Sequence, residues 1–213
     1  MTNSRLQAPQ DNIIVSIKSK YTKDFSTLTK RLSISDATSV HLEDFAQTIG
    51  TVVSIPKEIS KTKTENGYSM EGIEVGDTIL FAFNVVFDFY QPAPDALPIY
   101  RNKISYYDKE YWMCDITKVF AIIRGEKIIM VNGFVMATPF DADRIFTQPE
   151  NRRSRSSKSS DVMWVGTPRT NQKSIDIKQG DTIHYNPKKT QKYEINGKPF
   201  IILTQQQVLG KRN

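Results

Sequence analysis

The side chains able to do chemistry are few in this 213-residue sequence, and their spacing limits what that chemistry can be. Cys114 is the single cysteine and His41 and His184 are the only histidines, so an internal disulfide, a cysteine-based zinc site and a histidine-rich metal centre are all excluded. Neither histidine has a cysteine or the other histidine near it, and both read as surface or strand residues. Cys114 ends the apolar run Tyr111-Trp112-Met113-Cys114, where a buried, inert thiol is expected. Asp77 and Asp181 each follow a glycine and open an apolar strand. Lacking a second carboxylate at fixed spacing, they read as turn residues: the glycine takes positive φ and the aspartate hydrogen-bonds locally. No phosphate-cradling glycine loop, nucleophile elbow or paired-carboxylate spacing occurs. These residues point to no active site and no cofactor; the protein is expected to be non-enzymatic.

Charge offers a second kind of chemistry. The net charge is +6 and the pI about 9.3, a surplus that favours acidic partners without selecting one. Arg152, Arg153, Arg155 and Lys158 fall in Asn-Arg-Arg-Ser-Arg-Ser-Ser-Lys-Ser-Ser, a run with no apolar residue, read as a basic loop. Such a loop can neutralise phosphates, but it has no interleaved aromatics to stack bases and no groove-reading helix beside it. Nonspecific nucleic-acid contact is therefore the lesser alternative to a solvated loop or an acidic protein neighbour.

The elements that must position these residues are mostly strands. Hydrophobic residues make up 38% of the chain and aromatics 10%, a globular composition. Residues 1–10 are polar and no stretch approaches the roughly 18 apolar residues of a bilayer span, so neither a signal segment nor a membrane partner is expected. Ile13–Ile17, Thr51–Ile55 and Thr78–Phe83 are short, β-branched or aromatic, and bounded by Gly, Pro or Asp. The best helix candidate is Ser39–Ile49, with Gly50 as its stop.

Four blocks recur in the same order. Ile14-Val15-Ser16-Ile17 pairs with Phe134-Val135-Met136-Ala137, and Thr51-Val52-Val53-Ser54-Ile55-Pro56 with Met163-Trp164-Val165-Gly166-Thr167-Pro168. Ile73-Glu74-Val75-Gly76-Asp77-Thr78-Ile79-Leu80-Phe81 matches Ile177-Lys178-Gln179-Gly180-Asp181-Thr182-Ile183-His184-Tyr185. Lys109-Glu110-Tyr111-Trp112-Met113-Cys114, closing at Val119-Phe120, parallels Lys198-Pro199-Phe200-Ile201-Ile202-Leu203, closing at Val208-Leu209. The first copy is longer in residues 21–47 and 90–102, where Gln-Pro-Ala-Pro-Asp-Ala-Leu-Pro reads as a proline-stiffened excursion.

The second copy, from Gly180-Asp181-Thr182-Ile183 through Tyr193-Glu194-Ile195-Asn196-Gly197 and Phe200-Ile201-Ile202-Leu203 to Val208-Leu209-Gly210, resembles the C-terminal half of GroES-type co-chaperonins. The likeness covers residues 132–210. The first copy keeps Gly50-Thr51-Val52-Val53 and 72–81 but replaces the Ile-x-Gly hairpin by the excursion around Pro92 to Pro98. The resemblance implies an all-β fold with minor α content: tandem GroES-like β-barrels, residues 11–126 with loop insertions and residues 127–210. It also implies side-by-side association into a homo-oligomeric ring. In the family an apolar loop tripeptide docks on the large chaperonin; at that place stand Ile145 and Phe146, the candidate anchors, with Asp143 and Arg144 where the family has glycines. The alternative for both is local packing.

Two functions follow. One is a ring-like structural component of a larger particle such as a bacteriophage head, connector or tail, contacting neighbouring particle proteins in the virion and host cytoplasm. The lost glycine context and the long loops of the first copy favour it. The other is a cytoplasmic co-chaperonin that caps a chaperonin cavity. A dehydrogenase reading requires a nucleotide-binding βαβ region that this sequence lacks.

Overall fold

The structure, a computed structural model, describes residues 6–19, 48–90, 92, 99–139, 158–169, 176–185, 190–195 and 197–212. His41, most of the candidate helix Ser39–Ile49, Asp143, Ile145, Phe146, Arg152, Arg153 and Arg155 lie outside the described residues. The chain forms two compact units, Met1–Thr64 with Ser69–Glu126, and Glu65–Tyr68 with Lys127–Asn213. The described elements are predominantly antiparallel strands with short helices, an all-β architecture.

The first unit contains β1 (Asn12–Ser16), β2 (Ile49–Ser54), all but the last residue of helix α1 (Lys61–Glu65), β3 (Thr78–Phe81) and helix α2 (Asn84–Phe87). It continues with β4 (Phe89–Tyr90), β5 (Ile99–Tyr100), β6 (Lys103–Tyr106), β7 (Lys109–Asp115), a 3-10 turn at Ile116–Lys118 and β8 (Val119–Arg124). Its hydrogen-bonded order is β6–β7–β1–β2–β3–β8, with β4 and β5 forming a separate ladder. Bulges fall at Ile14/Val15, where β1 meets β2, and at Leu80/Phe81, where β3 meets β8. β1 and β3 are apolar on both faces, and Ile13, Ile14, Val15, Ile79, Leu80 and Phe81 are all fully buried. α2 packs on β7 and buries Val85 and Val86. Asn102 Nδ2 donates to the Val85 carbonyl at 3.0 Å, satisfying an acceptor that the short helix leaves open.

The second unit runs β9 (Lys127–Met130), β10 (Phe134–Ala137), β11 (Lys158–Val165), β12 (Thr182–Tyr185), β13 (Gln191–Ile195), β14 (Lys198–Thr204), a 3-10 turn at Gln205–Gln207 and β15 (Val208–Arg212). Its sheet order is β13–β14–β10–β11–β12–β15. Bulges fall at Met136/Ala137 between β10 and β11, and at His184/Tyr185 between β12 and β15. One cluster gathers Val135, Ala137, Val162, Ile183, Tyr185, Ile201, Leu203 and Val208, alternate residues of five strands, so the sheet wraps a common core.

The strand order is the same in the two units, and the bulges fall on the same pairs of strands. The recurring blocks built on Gly-Asp and on the 3-10 turn sit in register as written, with Asp77 and Asp181 both preceding the pairs Thr78↔Ile123 and Thr182↔Arg212. The other two blocks are each displaced by two residues. Ile14 faces Met113, two before the cap Asp115, as Met136 faces Ile202, two before the cap Thr204. Ile14 therefore corresponds to Met136, not Phe134. Likewise Thr51, opposite Thr78, corresponds to Asp161, opposite Thr182, not to Met163. A slip of two leaves every side chain on its own face, so hydrophobic alternation alone cannot detect it.

Three further expectations are corrected. Ile49 and Gly50 belong to β2, not to a helix end. A Cβ on Gly50 would lie 2.9 Å from Ile17 Cγ2 and 3.0 Å from the Ser16 carbonyl oxygen, so close strand approach, not a stop signal, explains this glycine. The first unit also retains its hairpin: β6 and β7 pair Tyr106 with Lys109, and the proline-rich segment precedes it, between β4 and β5. Finally, Lys158 is not in a loop but opens β11 opposite Tyr185. The polar run can enter a strand because the buried Ser160 hydroxyl donates to the Tyr185 hydroxyl at 3.3 Å.

Candidate assembly surfaces

The Gly-Asp turns are the most developed polar sites, and each is built for structure. Gly76 has φ 97° and Gly180 has φ 90°, backbone angles that a Cβ disfavours. Gly76 N donates to the Val52 carbonyl at 2.8 Å and Val52 N to that of Asp77 at 2.8 Å. In the second unit Gly180 N and Val162 N make the same two bonds at 2.9 Å. Each carboxylate then accepts the amide three residues back, from Glu74 at 2.8 Å and from Lys178 at 2.9 Å.

A basic residue from the closing strand completes each turn. Arg124 reaches both Asp77 oxygens at 2.7 Å, and its guanidinium donates to the Gly72 carbonyl at 2.8 Å. Lys211 lies 3.1 Å from Asp181 Oδ2 and also donates to the Asp176 carbonyl. The two cations leave the strand at different register positions: Lys211 faces Ile183, whereas Arg124 lies one residue beyond the partner of Thr78. Arg124 holds Asp77 below the usual carboxylate range, as the Lys178 amide and then Lys211 do for Asp181. A carboxylate tied to two donors is a staple between turn and strand and a poor proton acceptor.

The exposed apolar surfaces lie elsewhere. Among the described residues the exposed large apolar side chains are Val75, Phe89, Tyr90, Ile99 and Tyr107 in the first unit and Leu209 in the second. On one face of the β4–β5 ladder the Phe89 ring lies tilted against Tyr100 at 5.5 Å, and Tyr100 meets Trp112 edge-on at 5.8 Å. On the other face Tyr90 pairs with Ile99 while Arg101 lies over the Tyr90 ring. Tyr107 projects from the tip of the β6–β7 hairpin, and Leu209 from β15 at the margin of its sheet.

The sequence-based candidates distribute unevenly over this picture. Ile145, Phe146, Arg152, Arg153 and Arg155 fall in residues 140–157, outside the described residues, and of Lys158 only the strand position is described. Cys114 is fully buried in β7, and burial pushes its thiol far up, which matches an inert residue. His184 is a strand residue of β12. Sequence reasoning missed Arg124 and Lys211, which are 47 and 30 residues from their aspartates. It also missed the β6–β7 turn, whose Tyr107-Asp108 pair lacks the glycine of the usual hairpin signals.

Comparison with known families places one further observation on this fold. The family model described as the chaperonin 10 Kd subunit matches residues 145–212. The matched span opens at Ile145 and runs through β11 to β15, so the C-terminal part of the chain holds a GroES-like domain. No curated protein matches the sequence.

Proposed function

We propose that this chain is a ring-forming co-chaperonin built from two GroES-like barrels in tandem, acting by contact and without catalysis. The observation that carries the reading is the strand order shared by the family-matched second unit and the first, down to the bulges and the Gly-Asp turns. In this reading the long segments between β1 and β2 and between β10 and β11 are the reaching loops. Ile145 and Phe146 are the apolar anchors on a chaperonin, and Arg152, Arg153, Arg155 and Lys158 orient the approach to an acidic wall. A ring uses heterologous contacts, one surface of each chain meeting a different surface of the next, and it closes when the rotation does. Nothing in the described residues or in the family match favours a virion component over this lid, so the lid is the reading adopted.

The test is negative-stain microscopy of the purified protein with and without a nucleotide-loaded chaperonin. Rings alone, and end-on caps in the mixture, are expected. Replacing Ile145 and Phe146 by Ser should remove the caps and leave the rings, and replacing Arg152, Arg153 and Arg155 by Ser should flatten the salt dependence of capping. A protein that remains monomeric at every concentration and ignores the chaperonin refutes the proposal.

A further inference from the structure

The sequence holds three asparagine-glycine steps, Asn66-Gly67, Asn132-Gly133 and Asn196-Gly197, and such a step can modify itself. Glycine has no Cβ to hinder its backbone nitrogen, which can close on the preceding side-chain amide carbon to form a five-membered imide. Closure needs a side chain able to turn and water to finish the reaction, so the fold decides which step reacts. Asn196 lies outside the described residues, and the other two steps stand in opposite surroundings.

Asn132-Gly133 is enclosed. Asn132 is 8% exposed, Gly133 and Phe134 beside it are buried, and Phe134 N donates to the Val131 carbonyl at 3.2 Å across the turn. The pair lies between β9 and β10, so Asn132 reacts only when that connection opens. Asn66-Gly67 has no such cover. Asn66 is exposed and directly follows α1, a helix of five residues that buries no side chain. Gly67 turns the chain out of the helix at φ 77°, and helix ends fray at little cost in free energy.

We infer that Asn66 is a self-modification site, converted in the folded protein to aspartate and isoaspartate with water as the only co-reactant. Gly67 N gives up its proton and bonds to Asn66 Cγ; the Cγ–Nδ2 bond breaks and ammonia leaves. Water then opens the imide at Cγ, giving aspartate, or at the Asn66 backbone carbonyl carbon, giving isoaspartate, in which the chain runs through the side chain. Nothing is oxidised or reduced. Either product adds one negative charge to a chain of net charge +6, two residues before Tyr68, whose ring lies 4.5 Å from the Arg169 guanidinium. The reaction needs neither a ring nor a chaperonin.

Peptide mapping by mass spectrometry tests this on the full chain incubated at mildly alkaline pH in heavy-oxygen water, folded and, in parallel, in urea, where every asparagine-glycine step is open. In the folded chain Asn66 is expected to convert within about threefold of its rate in urea, and Asn132 about tenfold or more below its own. Converted Asn66 peptides should each carry one heavy oxygen and should include isoaspartate beside aspartate. Asn66→Gln, whose closure needs a six-membered ring, should remain unconverted at that position. Folded Asn66 slowed as much as Asn132 overturns the inference, by showing that the end of α1 is held shut. Folded Asn132 converting at the pace of Asn66 also overturns it, because exposure would then not select the site. Aspartate without isoaspartate overturns the imide route and with it the role of Gly67.

Discussion

The pair Ser160–Tyr185 can be tested against its counterpart, because the two units fill the same position with different chemistry. Gly50 faces Ile79 and Ser160 faces Ile183, and two residues further along the partner strands stand Phe81 and Tyr185. A Cβ on Gly50 would lie 3.2 Å from the Phe81 ring, so the first unit uses an apolar contact without room to spare. The second unit has a side chain at that place and hydrogen-bonds it to the ring hydroxyl at 3.3 Å. Ser160 is 3% and Tyr185 1% exposed, so neither hydroxyl can turn to solvent when its partner is removed. Tyr185→Phe and Ser160→Ala should each cost about 1–2 kcal/mol, the penalty of an orphaned buried hydroxyl. The double variant should cost about 1 kcal/mol less than the sum, since it leaves no orphan. Each unit holds one of the two tryptophans, Trp112 and Trp164. In a Trp112→Phe background, Trp164 emission during urea unfolding follows the second unit alone. Additive singles, with coupling below about 0.3 kcal/mol, would show that the hydroxyls do not interact.

Other expectations follow from the same geometry. Asp77 and Asp181 have folded-state pKa values below the ordinary carboxylate range, so their contribution is present above about pH 4 and lost as pH falls further. Burial raises Tyr185 and Tyr193, whose contribution is complete below about pH 10 and lost as pH rises above it. Urea midpoints across pH should decline at both ends, and the acid decline should shrink in Asp77→Asn. Gln205 begins the second 3-10 turn where Ile116 begins the first; it is buried, and its Oε1 has no hydrogen-bond partner among the described residues. Gln205→Met, which keeps the volume and removes the unpaired acceptor, should stabilise the second unit by about 1 kcal/mol in the same assay.

What could be read in advance was whatever the local chain decides. Gly76 and Gly180 announce their turns because a positive φ followed by an aspartate is a short-range requirement, and both turns form as expected. Blocks anchored to those turns, or to the 3-10 turn after β7 and β14, keep their register for the same reason. Blocks without an anchor slip by two, since alternation has that period. Gly50 was ambiguous because a glycine demanded by crowding looks in sequence like a glycine that ends a helix. Arg124 and Lys211 were invisible because no local rule ties a cation to an aspartate 47 or 30 residues away. In each unit a basic residue reaches the turn aspartate, but from a different strand position.

That last contrast bears on how the two units divide their work. Where the backbone demands a solution, at the bulges, the Gly-Asp turns and the 3-10 turns, the units agree. Where the solution is a side-chain choice, they differ: Gly50 with Phe81 against Ser160 with Tyr185, and Ile116 against Gln205. Both differences are buried and concern only stability.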